Sequence, residues 1–524
     1  MNKISTFKIF YIVTMSVILS CSGKKQEANS NQASVIINTD AVTKAYNPMI
    51  FGGFIEHFGR QIYGGIFELG SPLADDKGFR LDVIEALKEL NVPVVRWPGG
   101  CFVDAYHWQK GVGEKRESYG DFRWGVMEPN TFGTDEFVEF CLRIGAEPYI
   151  CHNGLSEVQE NLDWVAYCNA PKGKFAEMRK KNGNPEPFNV RFWSVGNERY
   201  DTAYVKRVRN TGKAMKELYP GIQITCSGSQ GSEGKRMPGV QSYLMETAGD
   251  YLDYVSVHNY WLPRGNELPK YDYMTAITRS EMPETYMKIV SESLRDKSMD
   301  RLKIAFDEWN LRAWQHPGFP RNNVDNYKDP EILKLVEKRI NGNDLNSQYT
   351  MADALFAASF FNACLRHSEN VTMANIAPLV NTRGPLYVHP EGIVKRTHFH
   401  TMAMYDNKLE EQVETLQLTS DKLINDKETV AVVDAIATVD KSGKNRAISL
   451  VNRHPAESVD CSVRIGDKLL NGTYKATVLT GDSPAAYNDI EHPDSIIPKE
   501  TQITFKKGVA SLPPHSLIIV HIQD

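Results

Sequence analysis

From residue 50 to about residue 376, short apolar segments alternate with amphipathic ones. Eight apolar segments have the length and the β-branched content of buried strands. They lie at 50–58, 92–100, 147–153, 190–197, 222–228, 253–260, 302–309 and 371–378. Segments between them carry apolar residues at helical spacing, most clearly 79–90, 134–145, 203–218 and 350–367. Eight successive strand–helix units predict an α/β fold, a (β/α)8 TIM barrel.

After about residue 400 the pattern changes to alternating apolar and polar positions, broken by turn residues and without helical segments. This predicts a C-terminal antiparallel β-sandwich, jelly-roll-like, over 401–524, with the catalytic barrel over 48–400. The segment "ASVIINTD" precedes the barrel and is also strand-like. We expect residues 35–47 to join the sandwich and tie the two domains together.

The N-terminal residues have the pattern of an export signal. Lys3 and Lys8 precede the apolar run "IFYIVTMSVIL", which is too short to span a bilayer and is followed by Cys21. "VILSC" resembles a bacterial lipoprotein box, which implies a signal peptide at 1–20, lipid on Cys21 and a polar tether at 21–34. The alternatives are an ordinary secretory signal or an uncleaved anchor. The expected location is the cell envelope, at the periplasmic face or cell surface, with the lipid as the sole membrane contact.

Charge and cysteine content narrow the classes of partner. A formal net charge of -5 over 524 residues gives no single-sign field, so neither nucleic acid nor an anionic membrane surface is expected as a partner. Of the 8 cysteines none is spaced CxxC, and no HExxH motif occurs, so no metal site or cofactor is expected.

Polar residues follow several predicted strands at the point where each strand ends. Glu198, in "FWSVGNE", follows the fourth strand, and Glu308, in "AFDEW", follows the seventh. The carboxyl ends of barrel strands meet at one face, and glycosidic cleavage needs a carboxylate pair there. Taken alone, either glutamate is also compatible with a first-turn partner of a helix dipole. Other polar residues at the same rim are Glu56, His57, Arg96, His152, Asn153, His258, Tyr260 and Asn375.

The tryptophans near the strand ends have two interpretations that the sequence leaves open. Their rings either belong to the core or stack on the C–H faces of sugars. They are Trp97, Trp108, Trp261, Trp309 and Trp314.

Five ordered motifs resemble one family. "FGGFIEHFGRQIYGGIFE", "VVRWPGGCFVDAYHW", "FWSVGNE", "YVSVHNYW" and "AFDEWN" are similar to glycoside hydrolase family 51, the retaining α-L-arabinofuranosidases. The resemblance covers roughly residues 35 to 524. It implies the same barrel and sandwich, no cofactor, an arabinose-containing plant polysaccharide or oligosaccharide as partner, and a homo-oligomer, since family members are often oligomeric.

The resemblance also implies roles. Glu198 is then the general acid/base, with a pKa raised by burial and nearby negative charge, and Glu308 the nucleophile. The residues implied to bind or surround the sugar are Glu56, Cys101, Asn197, His258, Tyr260, Trp309 and Pro378.

Two positions depart from the common family pattern. Cys101 stands where many members have Asn in "PGGN", and Pro378 stands where many have Gln in "NIAQ". Both family residues help to hydrogen-bond the sugar, so the arabinose contacts are expected to be rearranged. The long segment from Leu311 to Gln348 is expected to overhang the pocket and select the leaving group.

The leading hypothesis is therefore an exo-acting α-L-arabinofuranosidase that removes terminal residues from arabinan, arabinoxylan or their oligosaccharides. One alternative is a retaining endo-β-glucanase or xylosidase on the same scaffold. Another is a non-catalytic, lipid-anchored glycan-binding protein, which the intact pair of Glu198 and Glu308 disfavours.

Overall fold

The computed structural model describes residues 31–125, 127–230, 241–262, 272–314 and 328–523. The chain begins with strand β1 (Gln32–Ile37) and the short β2 (Lys44–Ala45). Asn47 then caps a 3-10 turn at Pro48–Phe51 through a hydrogen bond from the backbone N–H of Met49. The first barrel strand is therefore shorter than the predicted segment 50–58.

The predicted barrel is confirmed. Its eight strands close in sequence order, and every neighbouring pair is parallel. They are β3 (Gly52–Phe54), β4 (Val94–Trp97), β7 (Glu147–His152), β8 (Phe192–Val195), β9 (Gln223–Gln230), β10 (Tyr254–Leu262), β11 (Lys303–Arg312) and β12 (Val371–Ile376). A two-stranded hairpin, β5 (Tyr119–Gly120) and β6 (Met127–Glu128), lies outside the barrel in the connection after β4.

Helices surround the barrel. They are α1 (Leu81–Glu89), α2 (Thr134–Ile144), α3 (Val158–Asn169), α4 (Lys174–Lys181), α5 (Thr202–Leu218), α6 (Ser242–Ala248), α7 (Tyr273–Ile277), α8 (Met282–Asp296), α9 (Pro330–Asn343), α10 (Met351–Arg366) and α11 (Thr397–Lys408). The domain boundary predicted at residue 400 falls inside α11, because apolar residues of this helix continue to Tyr405. Within the described ranges, no helix is long and apolar enough to cross a membrane.

The floor of the barrel is apolar. A small core cluster takes one side chain from each of six strands: Val94, Tyr149, Phe192, Tyr254, Ala305 and Met373. Layers of this kind fill a barrel, so the end that lies toward the carboxyl termini of the strands is where a pocket can form.

The C-terminal part forms two facing sheets, reached through the hairpin β13 (Leu386–His389) and β14 (Gly392–Lys395). The strands are β15 (Gln412–Glu414), β16 (Leu416–Ser420), β17 (Lys422–Asn425), β18 (Glu428–Ala431), β19 (Val433–Val439), β20 (Asn445–Asn452), β21 (Val459–Ile465), β22 (Lys468–Leu469), β23 (Gly472–Leu479), β24 (Lys499–Phe505), β25 (Val509–Leu512) and β26 (Ser516–Gln523). One sheet has the order β2-β15-β19-β20-β26-β23-β24, and the other contains β16, β1, β21, β22 and β25, while β17 and β18 form a separate two-stranded ladder.

The N-terminal segment contributes to both sheets. β1 pairs antiparallel with β16 but parallel with β21, and β2 pairs with β15 of the other sheet. The sandwich is thus not antiparallel throughout, because β1 enters it from a distant part of the chain rather than through a hairpin.

Helix α10 joins the two domains. All of its residues from Met351 to Leu365 are buried, as expected of a helix that is apolar on every side. Its carboxyl end is fixed by Asp434 of the sandwich, which accepts hydrogen bonds from Arg366 and Asn362, both at 3.0 Å. Arg453 of the sandwich donates to Ser359 of the helix at 2.8 Å. The barrel and the sandwich therefore share one continuous packed core.

Candidate active site

A β-bulge in β11 brings two neighbouring acidic residues into the barrel. The pairing of β10 with β11 passes from Ser256–Ala305 to His258–Glu308, so β11 has one residue more than β10 in this interval. Strict alternation would place Asp307 and Glu308 on opposite faces of the strand, whereas an extra residue lets both point inward. Both are buried, at 0% and 3% exposure.

The second glutamate follows β8 at a sharp turn. Gly196 has a φ of 74°, and a Cβ there would lie 2.9 Å from the ring of Tyr204 and 3.0 Å from the backbone of Gly154. Glu198 has a φ of 48°, which is strained for a residue with a side chain and costs on the order of 1–3 kcal/mol. The turn directs the Glu198 carboxylate over the barrel, where its side chain is 24% exposed.

His258 lies between the two glutamates. Its Nδ1 is 3.0 Å from Oε1 of Glu198 and 2.5 Å from Oε2 of Glu308. Burial lowers the pKa of His258, but the charge of Glu308 and the hydrogen bonds with the surrounding carboxylates outweigh it and hold this pKa well above its ordinary value. The imidazole is therefore positively charged near neutral pH and faces both carboxylates.

Asp307 supports the site from below. It accepts hydrogen bonds from Ser256 at 2.6 Å and from the Tyr149 hydroxyl at 2.8 Å, and it lies 3.4 Å from Nε of Arg96. Burial raises the pKa of Asp307, but the charges of Arg96 and His258 prevail and lower it to about 2. An ionised Asp307, 3.3 Å from Nε2 of His258, fixes the orientation of that ring.

Arg96 connects this layer to the residue that precedes Glu198. Its guanidinium donates to Oδ1 of Asn197 at 2.7 Å, and both side chains are buried. Among the described residues, Nδ2 of Asn197 has no hydrogen-bond partner. The Arg96 bond orients the amide, and its Nδ2 donor is available to a ligand.

Glu56 closes another side of the site. Its Oε1 accepts from the backbone N–H of Phe102 at 2.8 Å and from Nε1 of Trp124 at 3.1 Å, while its Oε2 has no partner within the described part of the chain. Burial, supported by the charge of Glu308, raises the pKa of Glu56 to about 8. Gly99 and Gly100 permit this packing, because a Cβ at either position would lie within 2.7 Å of the Glu56 side chain.

Cys101 lies at the start of a 3-10 helix after β4 and is partly exposed. Burial, with the charges of Glu198 and Glu56, raises the pKa of its thiol, so Cys101 is a neutral side chain beside both glutamates. Pro378 is buried just after β12. The neighbouring carbonyl of Ala377 accepts a hydrogen bond from Asn310, two residues beyond Glu308, at 3.2 Å.

Tyr260 lies two residues beyond His258 in β10 and packs edge-on against Trp314, with ring centroids 4.9 Å apart. Trp309 differs from its expected role in sugar binding. It follows the bulge, so its ring leaves the barrel interior and stacks on Phe360 of α10 at 3.7 Å. The structure therefore places Trp309 in the layer between strand and helix, away from the two carboxylates.

The remaining rim residues have structural partners. His57 bonds with Glu128 and accepts from Trp97, Asn375 donates to the carbonyl of Gly53, and Asn153 donates to the carbonyls of Asp104 and Tyr106. His152 stacks on Trp193 at 4.8 Å, and burial lowers its pKa to about 3, so it is neutral. Trp97, Trp108 and Trp261 are buried in aromatic clusters of the core.

The expected overhanging segment from Leu311 to Gln348 is described only in part, because residues 315–327 lie outside the described ranges. Its described portion contains α9 and a 3-10 turn at Asn346–Gln348. Cys21, the predicted site of lipid attachment, also lies outside the described residues.

Sequence reasoning missed three groups of the site: Asp307, Ser256 and Trp124. "FDEW" contains Asp307 beside Glu308, but its alternation predicts the opposite face. Trp124 reaches Glu56 from a loop 68 positions away. No local pattern marks such a contact.

The arrangement suits double displacement at a sugar carbon. One carboxylate oxygen of Glu198, one of Glu308 and a ring nitrogen of His258 all lie within 4.8 Å of one another. Retaining glycosidases hold their carboxyl groups about 5–5.5 Å apart, and inverting ones need roughly 6.5–9.5 Å to admit a water. The same three side chains are close enough to coordinate one metal ion, which would have to displace the proton on Nδ1 of His258.

Known proteins share this architecture. The family model described as "Alpha-L-arabinofuranosidase 1 domain" matches residues 86–276, and "Alpha-L-arabinofuranosidase C-terminal domain" matches residues 307–516. Alpha-L-arabinofuranosidase C of Emericella nidulans is 33% identical, over 87% of this chain and 90% of that protein. The intracellular exo-alpha-(1->5)-L-arabinofuranosidase of Acetivibrio thermocellus is 30% identical, over 82% of this chain and 86% of that protein. The crystal structure of the Thermotoga maritima alpha-L-arabinofuranosidase in complex with arabinose superposes with a TM-score of 0.79 at 29% identity, and covers 94% of this chain and 100% of that one.

Proposed function

The chain belongs to glycoside hydrolase family 51, the α-L-arabinofuranosidases, and on this basis we propose how its site works. The protein is an exo-acting α-L-arabinofuranosidase that acts on arabinose-containing polysaccharides and oligosaccharides. The finer proposal is that it removes terminal arabinofuranosyl residues from arabinan, arabinoxylan or their fragments with retention of configuration. The observation that carries it is the short separation of the Glu198 and Glu308 carboxylates on either side of His258.

In the first half of the reaction, Glu308 attacks the anomeric carbon and Glu198 gives its proton to the leaving oxygen. Glu308 suits the nucleophile, because it is buried and faces the positively charged His258. Glu198 suits the acid, because its partly exposed side chain can reach both the leaving group and water. The C–O bond to the leaving group breaks as the ester bond to Glu308 forms.

In the second half, Glu198 takes a proton from water, and the resulting hydroxide attacks the same carbon and releases Glu308. Two inversions at one carbon give net retention. The same carboxylate serves as acid and then as base, so it must remain accessible after the leaving group departs.

Two buried polar atoms are proposed to bind the sugar. Nδ2 of Asn197 offers a donor to a ring hydroxyl next to the reacting carbon, and Oε2 of Glu56 offers a partner to another hydroxyl. Burying such atoms without a partner is costly, and a bound sugar would satisfy both.

We further propose that lipid on Cys21 anchors the enzyme in the cell envelope, on the strength of the sequence pattern around "VILSC". Oligomerisation is also proposed, from family resemblance. Light scattering after size exclusion tests it, and a monomer at all concentrations would contradict it.

Variants of the two glutamates test the mechanism with matched substrates. Glu308→Ala should abolish turnover of every substrate, because no glycosyl-enzyme can form. Glu198→Ala should still be glycosylated by an aryl arabinofuranoside with an acidic leaving group, and natural glycans should stall. Azide, which needs no general base, should restore turnover of the aryl arabinofuranoside in Glu198→Ala and give a glycosyl azide that is inverted relative to the bound intermediate, and therefore has the configuration of the substrate.

Glu157→Ala is the control, because Glu157 is an exposed glutamate directly before α3. Its activity should match that of the wild type. A glycosyl azide of retained configuration from Glu308→Ala, with one of inverted configuration from Glu198→Ala, would reverse the two assignments.

A further inference from the structure

A cavity of about 510 Å³ lies between the barrel and the sandwich. The barrel lines it with the start of α7, the end of β11 and the turn before α10, and the sandwich lines it with the loop between β23 and β24. Sites for small molecules occupy roughly 300–1,000 Å³ and favour such domain boundaries.

The sandwich wall of the cavity is held firmly against the barrel. Asn488, from the loop between β23 and β24, is 1% exposed and donates to the carbonyl of Lys395 in the barrel domain at 2.8 Å. It also accepts from the backbone N–H of Ile496 at 2.7 Å, which closes the loop on itself. On the opposite wall, the hydroxyl of Tyr273 donates to the carbonyl of Arg453 in the sandwich at 3.0 Å. The cavity is therefore largely preformed.

The lining chemistry suits a neutral, hydroxylated ligand. Tyr273 and Tyr487 provide ring surfaces, and Ser347, Gln348 and Thr350 provide short polar groups. Two charged residues also line the cavity. Asp272 accepts a hydrogen bond from the backbone N–H of Thr275 at 2.7 Å, and Asp353 holds the guanidinium of Arg312 with two hydrogen bonds of 2.8 and 3.0 Å. A sugar residue combines an apolar C–H face with hydroxyl edges, and it needs no opposite charge.

The cavity is connected to the strand that carries the nucleophile. Arg312 is four residues beyond Glu308 in β11, which corresponds to about 13 Å along a strand. Asn310, between them, donates to the carbonyl of Arg383 at 3.1 Å, and Arg383 donates to Gln348 at 2.7 Å. The cavity thus lies at the catalytic end of the barrel, beyond the position of the terminal sugar.

We propose that this cavity is a subsite for a distal sugar residue of the arabinose-containing chain whose terminal residue is cleaved between Glu198 and Glu308. The inference rests on the proposed function. It assigns to the sandwich a part in substrate selection, because Pro484, Ala485 and Tyr487 of its loop form one wall. The enzyme then prefers longer chains to aryl glycosides and disaccharides.

The test compares a nitrophenyl arabinofuranoside with α-1,5-linked arabino-oligosaccharides of increasing length. Tyr487→Ala should raise KM for the longer oligosaccharides about fivefold and leave kcat/KM for the aryl glycoside unchanged within twofold. Tyr487→Phe keeps the ring, and its KM for the longer oligosaccharides should stay close to the wild-type value. Ala485→Trp, at an exposed position of the wall, should obstruct the cavity and reproduce the effect of Tyr487→Ala.

Tyr474→Ala is the matched control, because Tyr474 lines a different cavity of the sandwich, of about 540 Å³. Tyr474→Ala should change KM for none of the substrates. Equal KM changes for short and long substrates, or no change with either cavity variant, would overturn the subsite. Failure of the wild type to hydrolyse the aryl arabinofuranoside would instead contradict the proposed function, so the two failures are distinguishable.

Discussion

Glu56 should make the enzyme less stable as pH rises, and Glu56→Gln should remove this dependence. The side chain is fully buried, and its pKa is raised by burial from an ordinary value of 4.5 to about 8. The native state therefore retains a proton that the unfolded chain releases above about pH 4.5. Since the native state binds more protons between about pH 4.5 and 8, the free energy of unfolding falls as pH rises through that window.

The size of the effect follows from the two pKa values. The free energy of unfolding changes by about 1.4 kcal/mol per pH unit inside the window, so it should fall by about 2.5 kcal/mol between pH 5.5 and 7.5. Glutamine is a neutral isostere of the protonated acid, and its oxygen can still accept from Phe102 and Trp124 as Oε1 does. The free energy of unfolding of Glu56→Gln should therefore not show this fall between pH 5.5 and 7.5.

The measurement is the thermal unfolding midpoint of both proteins at pH 5.5 and 7.5. The advantage of Glu56→Gln over the wild type should grow by about 2 to 4 °C between the two pH values, while its KM for an aryl arabinofuranoside rises because one sugar contact changes. Glu246→Gln, at an exposed helix position, is the control and should shift neither quantity. A difference between wild type and Glu56→Gln that stays constant with pH would refute the reasoning.

Three further predictions concern support, specificity and anchoring. Asp307→Asn leaves buried Arg96 without its carboxylate and should lower the free energy of unfolding by about 3–5 kcal/mol. Both the unfolding midpoint and kcat should therefore fall, and wild-type values for both would refute the supporting role. Cys101→Asn should change KM for an aryl arabinofuranoside several-fold, because one sugar hydrogen bond contributes roughly 0.5–1.5 kcal/mol, and an unchanged KM would place Cys101 outside the sugar subsite. Cys21→Ala should move the protein from the detergent phase to the soluble fraction or block its processing; wild-type protein without lipid by mass spectrometry would contradict the anchor.

The barrel could be predicted from the sequence because apolar strand segments and amphipathic helical segments alternate regularly along the chain. Each of the eight apolar segments became a barrel strand. Since parallel strands end at one face, the positions of Glu198 and Glu308 after strands four and seven were enough to expect them in one pocket. The family resemblance of the motifs around them implied the roles of acid/base and nucleophile.

The remainder depended on local geometry that no periodic pattern reveals. The bulge in β11 lets both Asp307 and Glu308 point inward, whereas simple alternation from Glu308 would place Asp307 on the outer face with Trp309. The turn after β8 has left-handed backbone at both Gly196 and Glu198, and Gly196 packs closely against Gly154 and Tyr204, a tertiary contact. Positions that break the regular pattern are thus the ones that form the site.

The central claim is that Glu308 forms a covalent glycosyl-enzyme, and the configuration of the first product tests it most directly. Hydrolysis of an α-L-arabinofuranoside by the wild-type enzyme is followed by NMR on a timescale shorter than mutarotation. Double displacement predicts that the α anomer of arabinofuranose accumulates first. Initial accumulation of the β anomer would mean a single displacement by water and would contradict the assignment of Glu308 as the nucleophile.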